Sequence, residues 1–572
     1  MFRRAFIATI AIISIALPAS GADFIDEQIG RTPLPTQEAG WAGAFVDDST
    51  ASVFPSMMYA GPIDVVKNGR GVYCASFSDP KCQSQDRFTY NAYLPKCQTT
   101  YATLDVDCIK SLFAISSDGK EVEGQFVRYF PETTNTVFTG DSKAGIASGW
   151  NPSIWKFSGI NHPGGDEFLV VPSIISFQGF INNPGHHPQL FVNIYAISRK
   201  PSTQSATLPI NVAGAVNGLE MTGNQVNSFE CPLMLGNKEC AIAWPLPNNV
   251  KFKISITTSS VLSGWMHGRL SEPTIEAVKL PGRTGTDLVI EAGAVKVPIF
   301  SIWKRYESLP QSMKDILTQN KGQKGRIQFP AQWRSVYDGS GVEPYDKISA
   351  DHDLDNHTEA NFNEFLGWLA LSENKSIAEK TQWAFYTSHV YTNDDPNGKI
   401  RVCSELNPNV SGVVTTNATQ YLANPPKFNP ATNSLDYQVS SPHFSRTGQD
   451  NVGTYDLVID GNVARCIYGF TAAPMQASVS IINANGEQKV ATSVLTEKNG
   501  WVKLSVKGFT YSSPVLRVKF TQFSEKKPDL TPSPKPSASK VPAKSVITCI
   551  KGKTVKKVTG SNPKCPTGYK KK

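Results

Sequence analysis

The chain of 572 residues is 40% hydrophobic, 10% aromatic and 18% charged, with 43 Gly and 39 Pro; this excludes wholesale disorder, collagen and coiled coil, and at roughly 150 residues per domain it gives about three to four compact units. The formal net charge of +8 is unevenly placed: residues 526–572 hold 13 Lys and one acid, Asp529, whereas residues 23–525 hold 41 basic residues against 47 acids. An acidic body with a basic end excludes nucleic acid as a partner, because a nucleic-acid-binding domain stripes basic residues along one folded face.

Residues 1–22 read as a signal peptide: Arg3 and Arg4, an apolar run over 5–17, then Pro18 and the small residues Ala19, Ser20, Gly21 and Ala22, with cleavage expected after Ala22. The apolar run is shorter than the ~20 residues that span a bilayer, and no later segment is long enough, so no transmembrane span is expected in the mature chain. Export places the ten cysteines in an oxidising compartment, where an even number of thiols means bridges. No Cys-x-x-Cys spacing supports the competing zinc reading.

Residues 23–135 are expected to form a β domain braced by Cys74, Cys82, Cys97 and Cys108, among which three pairings are open. Residues 136–305 read as a second β domain, with β-branched and aromatic alternation at 191–197, 251–256 and 288–290 and a neighbour pair Cys231 and Cys240. The region 306–395 is mixed. A short helix is expected at 312–317 and a longer one at 358–371, where Phe362, Phe365, Leu366 and Leu369 recur at helical spacing, Thr358 caps and Glu359 complements the dipole.

Residues 396–524 read as a β-sandwich bridged by Cys403 and Cys466. Asp460-Gly461, Asn485-Gly486 and Asn499-Gly500 are hairpin-turn signals, since both residues of a type I′ turn need positive φ. Val502, Leu504 and Val506 alternate with Lys503, Ser505 and Lys507, and Leu516, Val518 and Phe520 with Arg517, Lys519 and Thr521, as in a sheet with one buried face. Pro528, Pro532, Pro534, Pro536 and Pro542 mark residues 525–545 as an extended linker. Residues 546–572 follow as a basic tail in which Cys549 and Cys565 close a small cationic loop. The expected class is mainly β: several antiparallel sandwich-like units, a short helical interlude and a disordered basic C-terminal tail.

The strings 547–554 (ITCIKGKT) and 562–572 (NPKCPTGYKKK) resemble a Lys-rich, two-cysteine ending that recurs on secreted and surface proteins of actinobacteria. The body is loosely similar to uncharacterised secreted proteins of the same bacteria. The resemblance implies an exported, envelope-associated protein and carries no catalytic residues.

Three groups of residues carry candidate chemistry. Lys551, Lys553, Lys556, Lys557, Lys570, Lys571 and Lys572 lie in the basic tail, which is able to hold an anionic envelope polymer or membrane surface, at about 1 kcal/mol per basic residue for anionic lipid. Asp351, Asp353 and Asp355, with His357 and Glu359, have the alternate spacing that converges carboxylates on a hard cation, with calcium the candidate metal; the competing reading is a polar loop before a helix. Trp150 and Trp155 are a candidate platform for a sugar ring, with core packing as the alternative. His162 with Asp166 and Glu167, and His186-His187, read as turn residues. No nucleophile elbow, His-Glu-x-x-His, Walker loop or dinucleotide fingerprint is present. The sequence therefore reads as a secreted, envelope-associated binding protein, adhesin-like or glycan-binding. A secreted polysaccharide hydrolase and a self-assembling structural envelope protein are the alternatives.

Overall fold

The computed structural model describes residues 25–572 except 30–31, 37, 48–55, 63–71, 99–105, 133–135, 181–187, 206–232, 236, 283, 320–348, 355–357, 389–394, 396–397, 408, 472–474, 483–485, 487, 491–492, 512–514 and 523–544. The chain forms two compact units, a body of Met1–Ala472 with Gln476–Thr521 and a small unit of Gln522–Lys572 with Ala473–Met475. Among the described residues strands account for 55% and helices for 12%, so the protein is mainly β.

The body is built on strands whose alternation is visible residue by residue. In Lys251–Thr258, Phe252, Ile254 and Ile256 are buried while Lys251, Lys253 and Ser255 are partly exposed. This strand is the middle of a five-stranded antiparallel sheet in the order Glu121–Tyr129, Cys108–Ile115, Lys251–Thr258, Thr286–Gly293, Ser271–Lys279. A second, longer path runs Met57–Gly61, Arg87–Tyr93, Glu167–Phe180, Gln189–Ser205, Ala384–Ser388, Gly264–Arg269, Val410–Thr416, Val452–Asp460, Trp501–Thr510. Along it only Gly264–Arg269 and Val410–Thr416 pair in parallel. Trp265 lies opposite Gly412 there, and a Cβ on Gly412 would come within 2.5 Å of the indole.

Glu121–Tyr129 joins the two sheets. Its start pairs with Cys108–Ile115 and its remainder with Ser153–Phe157, with an irregularity between Phe126 and Arg128; such bends let a strand turn the corner of a sandwich. One core then gathers Phe88, Leu112, Trp155, Phe168, Phe252 and Trp383 with their neighbours. Sheet pairing thus crosses the segment boundaries read near residues 135 and 305. The physical reason is that Cys108–Ile115 and Lys251–Thr258 satisfy each other's backbone hydrogen bonds and so present their apolar residues to one shared core, although about 140 residues separate them.

A four-stranded sheet, Ala350–Asp353, Trp41–Val46, Val295–Arg305, Ala378–Gln382, carries the two longest helices. Gln311–Gln319 and Glu359–Leu371 are the expected helices; they bury Met313, Leu317, Phe365, Trp368 and Leu369 against Phe300 and Ile302. Thr358 caps as expected, accepting from the Asn361 amide at 3.1 Å. Beside this sheet Lys380 Nζ meets Asp47 Oδ2 at 2.6 Å, each side chain 3% exposed.

The remaining sheet runs Gln420–Tyr421, Ser434–Ser440, Val515–Gln522, Met475–Ile482, Gln488–Val490, with Lys427–Asn429 also paired to Ser434–Ser440. Leu516, Val518 and Phe520 on this sheet and Val502, Leu504 and Val506 on the long one are all buried, as the alternation predicts. The layers meet through Tyr437 and Tyr455, 5.5 Å between rings, and through buried Arg269. Its guanidinium lies 4.4 Å from the Tyr421 ring and donates to the carbonyls of Thr416, Ala418 and Thr419.

Asn499-Gly500 is a hairpin turn, with φ of 52° and 81°, between Ser493–Lys498 and Trp501–Thr510. Asp460-Gly461 is not. The Asp460 carboxylate instead accepts from the amides of Asn462 and Val463 and starts the helix Gly461–Tyr468, because Asp is as good an N-cap as a turn residue. At Asn485-Gly486 the flanking strands pair Ile482 with Gln488, so five residues, not two, form the connection; Asn485 lies outside the described residues.

The first four cysteines pair Cys74 with Cys82 and Cys97 with Cys108. Cys403–Cys466 staples the helix Lys399–Glu405 to Gly461–Tyr468, and Cys549–Cys565 closes the C-terminal unit. Cys240 is disulfide-bonded, and its expected partner Cys231 lies outside the described residues. No helix among the described residues is long and apolar enough to cross a membrane.

Candidate functional site

Residues 545–572 contain eight Lys and no acid. From Ser545 onward the expected loop is a three-stranded antiparallel sheet, with Ser545–Lys551 between Thr554–Gly560 and Lys570–Lys571. The local cause is enrichment in β-branched residues at Val546, Ile547, Thr548 and Ile550 and at Thr554, Val555, Val558 and Thr559, with Gly552 at φ 57° in the turn. The central Cys549 is 0% exposed, and its bridge to Cys565 ties the ladder to the segment that returns to the third strand.

This register decides where the charges stand. Lys556 and Lys571 lie directly opposite Cys549 on its two neighbouring strands, so they share its face. Lys557 lies opposite Thr548 and Lys570 opposite Ile550, on the other face. Lys551 precedes the turn and Lys553 lies in it, Lys564 precedes Cys565 and Lys572 is the last residue of the sequence; all eight are exposed. The Lys556 ammonium sits 5.8 Å from the Tyr569 ring centre. With strands about 4.8 Å apart, the rows place ammonium groups within a Debye length of one another, and residues 545–572 hold no acid that could neutralise them.

The described candidate metal residues, Asp351, Asp353 and Glu359, do not gather. Ala350–Asp353 is a strand paired in parallel with Trp41–Val46, which replaces the expected loop. Asp351 is buried, Asp353 exposed, and Glu359, 69% exposed at the helix start, lies 3.8 Å from Lys427; Asp355 and His357 lie outside the described residues. Among the described residues no group of three or more His, Cys, Asp or Glu is placed to hold an ion, so the calcium expectation has no assembled shell there.

What the segment does build is a buried carboxylate that sequence reading missed. Glu364 is 0% exposed, with Oε2 3.0 Å from His352 Nδ1 and Oε1 accepting from Trp368 Nε1 at 3.1 Å. The available signal was a Glu four residues before a Trp on the apolar face of a helix.

Trp155 is not a platform. It is 1% exposed, lies edge-on to Phe126 with centroids 5.8 Å apart, and donates to Ser153 Oγ at 2.7 Å. Trp150 is half-buried against Tyr129, 5.2 Å between centroids. Burial of their large apolar area is the reason, and Trp155 offers no open ring face.

His162 holds its own turn, accepting at Nδ1 from the Gly164 amide at 3.1 Å and donating from Nε2 to the Glu167 carbonyl at 2.9 Å; burial pushes its pKa below the usual value. Glu167 is held by Arg199 at 2.7 and 3.0 Å, and these hydrogen bonds keep its carboxyl below the ordinary range. His186 and His187 lie outside the described residues.

The chain matches no known family model, and no curated protein or solved structure is detectably similar to it.

Proposed function

We propose that this is a secreted binding protein held at the cell envelope by its C-terminal unit, with the body presented to an extracellular glycan. The observation that carries the reading is the set of eight exposed lysines on a disulfide-closed sheet without an acid. Concentrated charge of one sign gathers counter-ions, and a polyanion that displaces them gains affinity that falls as salt rises. An anionic envelope polymer supplies such charge. The bridges favour an oxidising compartment, and the likeness of the ending to those of secreted actinobacterial proteins points to the same place.

Binding of the full-length protein to poly(glycerol phosphate) at rising salt tests the reading. Affinity should fall steeply with salt, and replacing Lys551, Lys553, Lys556 and Lys557 with Gln should weaken it and flatten that dependence. Binding that ignores both salt and the four substitutions overturns the proposal, as does protein that stays on cells through a high-salt wash.

A further inference from the structure

The sheet that contains Ser434–Ser440 has two unlike faces. Leu435, Tyr437 and Val439 are buried, while Asp436 and Gln438 are partly exposed and, together with Tyr437, line a groove of about 490 Å³. Register builds its floor from three strands. Lys427 and Arg517 both lie directly opposite Asp436, and Val515 lies opposite Gln438.

The charged pair of the floor is rigid. Arg517 donates to both oxygens of Asp436, at 2.9 and 2.7 Å, and the same carboxylate accepts from Ser434 Oγ at 2.8 Å and Asn429 Nδ2 at 3.2 Å. Burial alone would raise the Asp436 carboxyl, but these hydrogen bonds outweigh it and hold the pKa below the usual value. Arg517 is thereby fixed in one orientation. Among the described residues its Nη1 and the Gln438 amide have no partner, although both residues line the groove. The walls are apolar: Leu422, Pro425, Phe428 and Pro430.

Three features of this groove select a ligand class. Asp436 neutralises Arg517, and Glu359 stands by Lys427 at the rim, so a charged ligand finds no uncompensated partner. The groove lies on a sheet face and not along an edge, so an added peptide strand is offered no main-chain ladder. Prolines and an aromatic edge beside the Gln438 amide and the fixed Arg517 guanidinium match a molecule that alternates C–H surface with hydroxyl groups, and the volume falls within the range of small-ligand sites.

We infer that this groove is a docking site for a neutral saccharide, with Arg517 Nη1 and Gln438 binding its hydroxyls and the Pro425, Phe428 and Pro430 wall packing on its C–H face. The inference rests on the body serving as a glycan-presenting scaffold and is independent of the cationic unit.

Calorimetric titration of the full-length protein with neutral hexasaccharides of the glucan, mannan, galactan and arabinan types, at salt high enough to silence the lysines, is the test. At least one type should bind. Gln438→Trp, which fills the groove from a partly exposed position, should weaken that binding by about tenfold or more, and Gln438→Ala by a smaller factor, with the melting temperature unchanged in both. The four-lysine variant should bind the hexasaccharide as the wild type does. Absence of binding to every neutral type overturns the proposal, as does binding that survives Gln438→Trp. Loss of poly(glycerol phosphate) binding with saccharide binding intact would instead touch only the cationic unit.

Discussion

The body and the C-terminal unit reach a folded state by opposite means. In the body, cores such as that around Phe88, Trp155, Phe252 and Trp383 bury large side chains from distant parts of the chain. In residues 545–572 Cys549 alone is fully buried, and Val546 and Val555 are more than half exposed. A unit this small cannot bury enough apolar surface to offset chain entropy, so the Cys549–Cys565 bridge takes over part of that task. The consequence is functional: with almost no interior, nearly every side chain is on the surface, and the lysines act together on whatever lies outside.

Removal of core volume from the body is the strongest perturbation of this contrast. Trp155→Ala should destabilise the body by about 3–5 kcal/mol, read by urea unfolding, and leave the protection of residues 545–560 from hydrogen exchange unchanged. Cys549→Ser or mild reduction should do the reverse. A bridge over a loop of this length contributes about 3 kcal/mol, enough to lose exchange protection across the small sheet while the body's transition stays in place. If the small sheet survives reduction, its apolar contacts are worth more than its burial indicates.

Local changes within the body come next. Thr358→Ala removes the acceptor for the Asn361 amide and should cost about 1 kcal/mol, again by urea unfolding.

Glu272 gives a pH test. Hydrogen bonds and charge from Lys507, then Lys251, hold its carboxyl at about 2. A folded pKa below the unfolded value of about 4.3 means that the contribution is present above pH 4.3 and is lost as pH falls toward 2. Melting curves should therefore show the difference between wild type and Glu272→Gln shrinking across that window. The smallest effect on stability is expected of the lysines to which the proposed function assigns envelope binding. Replacing Lys551, Lys553, Lys556 and Lys557 with Gln should move the body's stability by no more than about 0.5 kcal/mol.

Several elements were legible because their signals are local. The outward and inward residues of 502–507 and 516–521 follow from a period of two, and the helix beginning after Thr358 from a cap followed by apolar residues at helical spacing. Asp460-Gly461 misled because one dipeptide serves two structures: a turn when strands pair across it, a cap when an amphipathic helix follows. In the 351–359 segment the carboxylate spacing carries no information about burial: Ala350–Asp353 pairs with Trp41–Val46 and Asp351 is buried.

Sequence by itself determined the mainly β character, the neighbour pairings Cys403–Cys466 and Cys549–Cys565, and the separation of an acidic body from a basic end, since each depends on cysteines successive in the chain or on composition. Tertiary structure alone decided that strands 108–115 and 251–258 share a sheet, that Trp155 is core, and that Lys427, Asp436 and Arg517 stand in one row above a groove. Those outcomes depend on cross-strand register between segments tens to hundreds of residues apart. Register is set by the joint burial of both faces, which no single segment encodes.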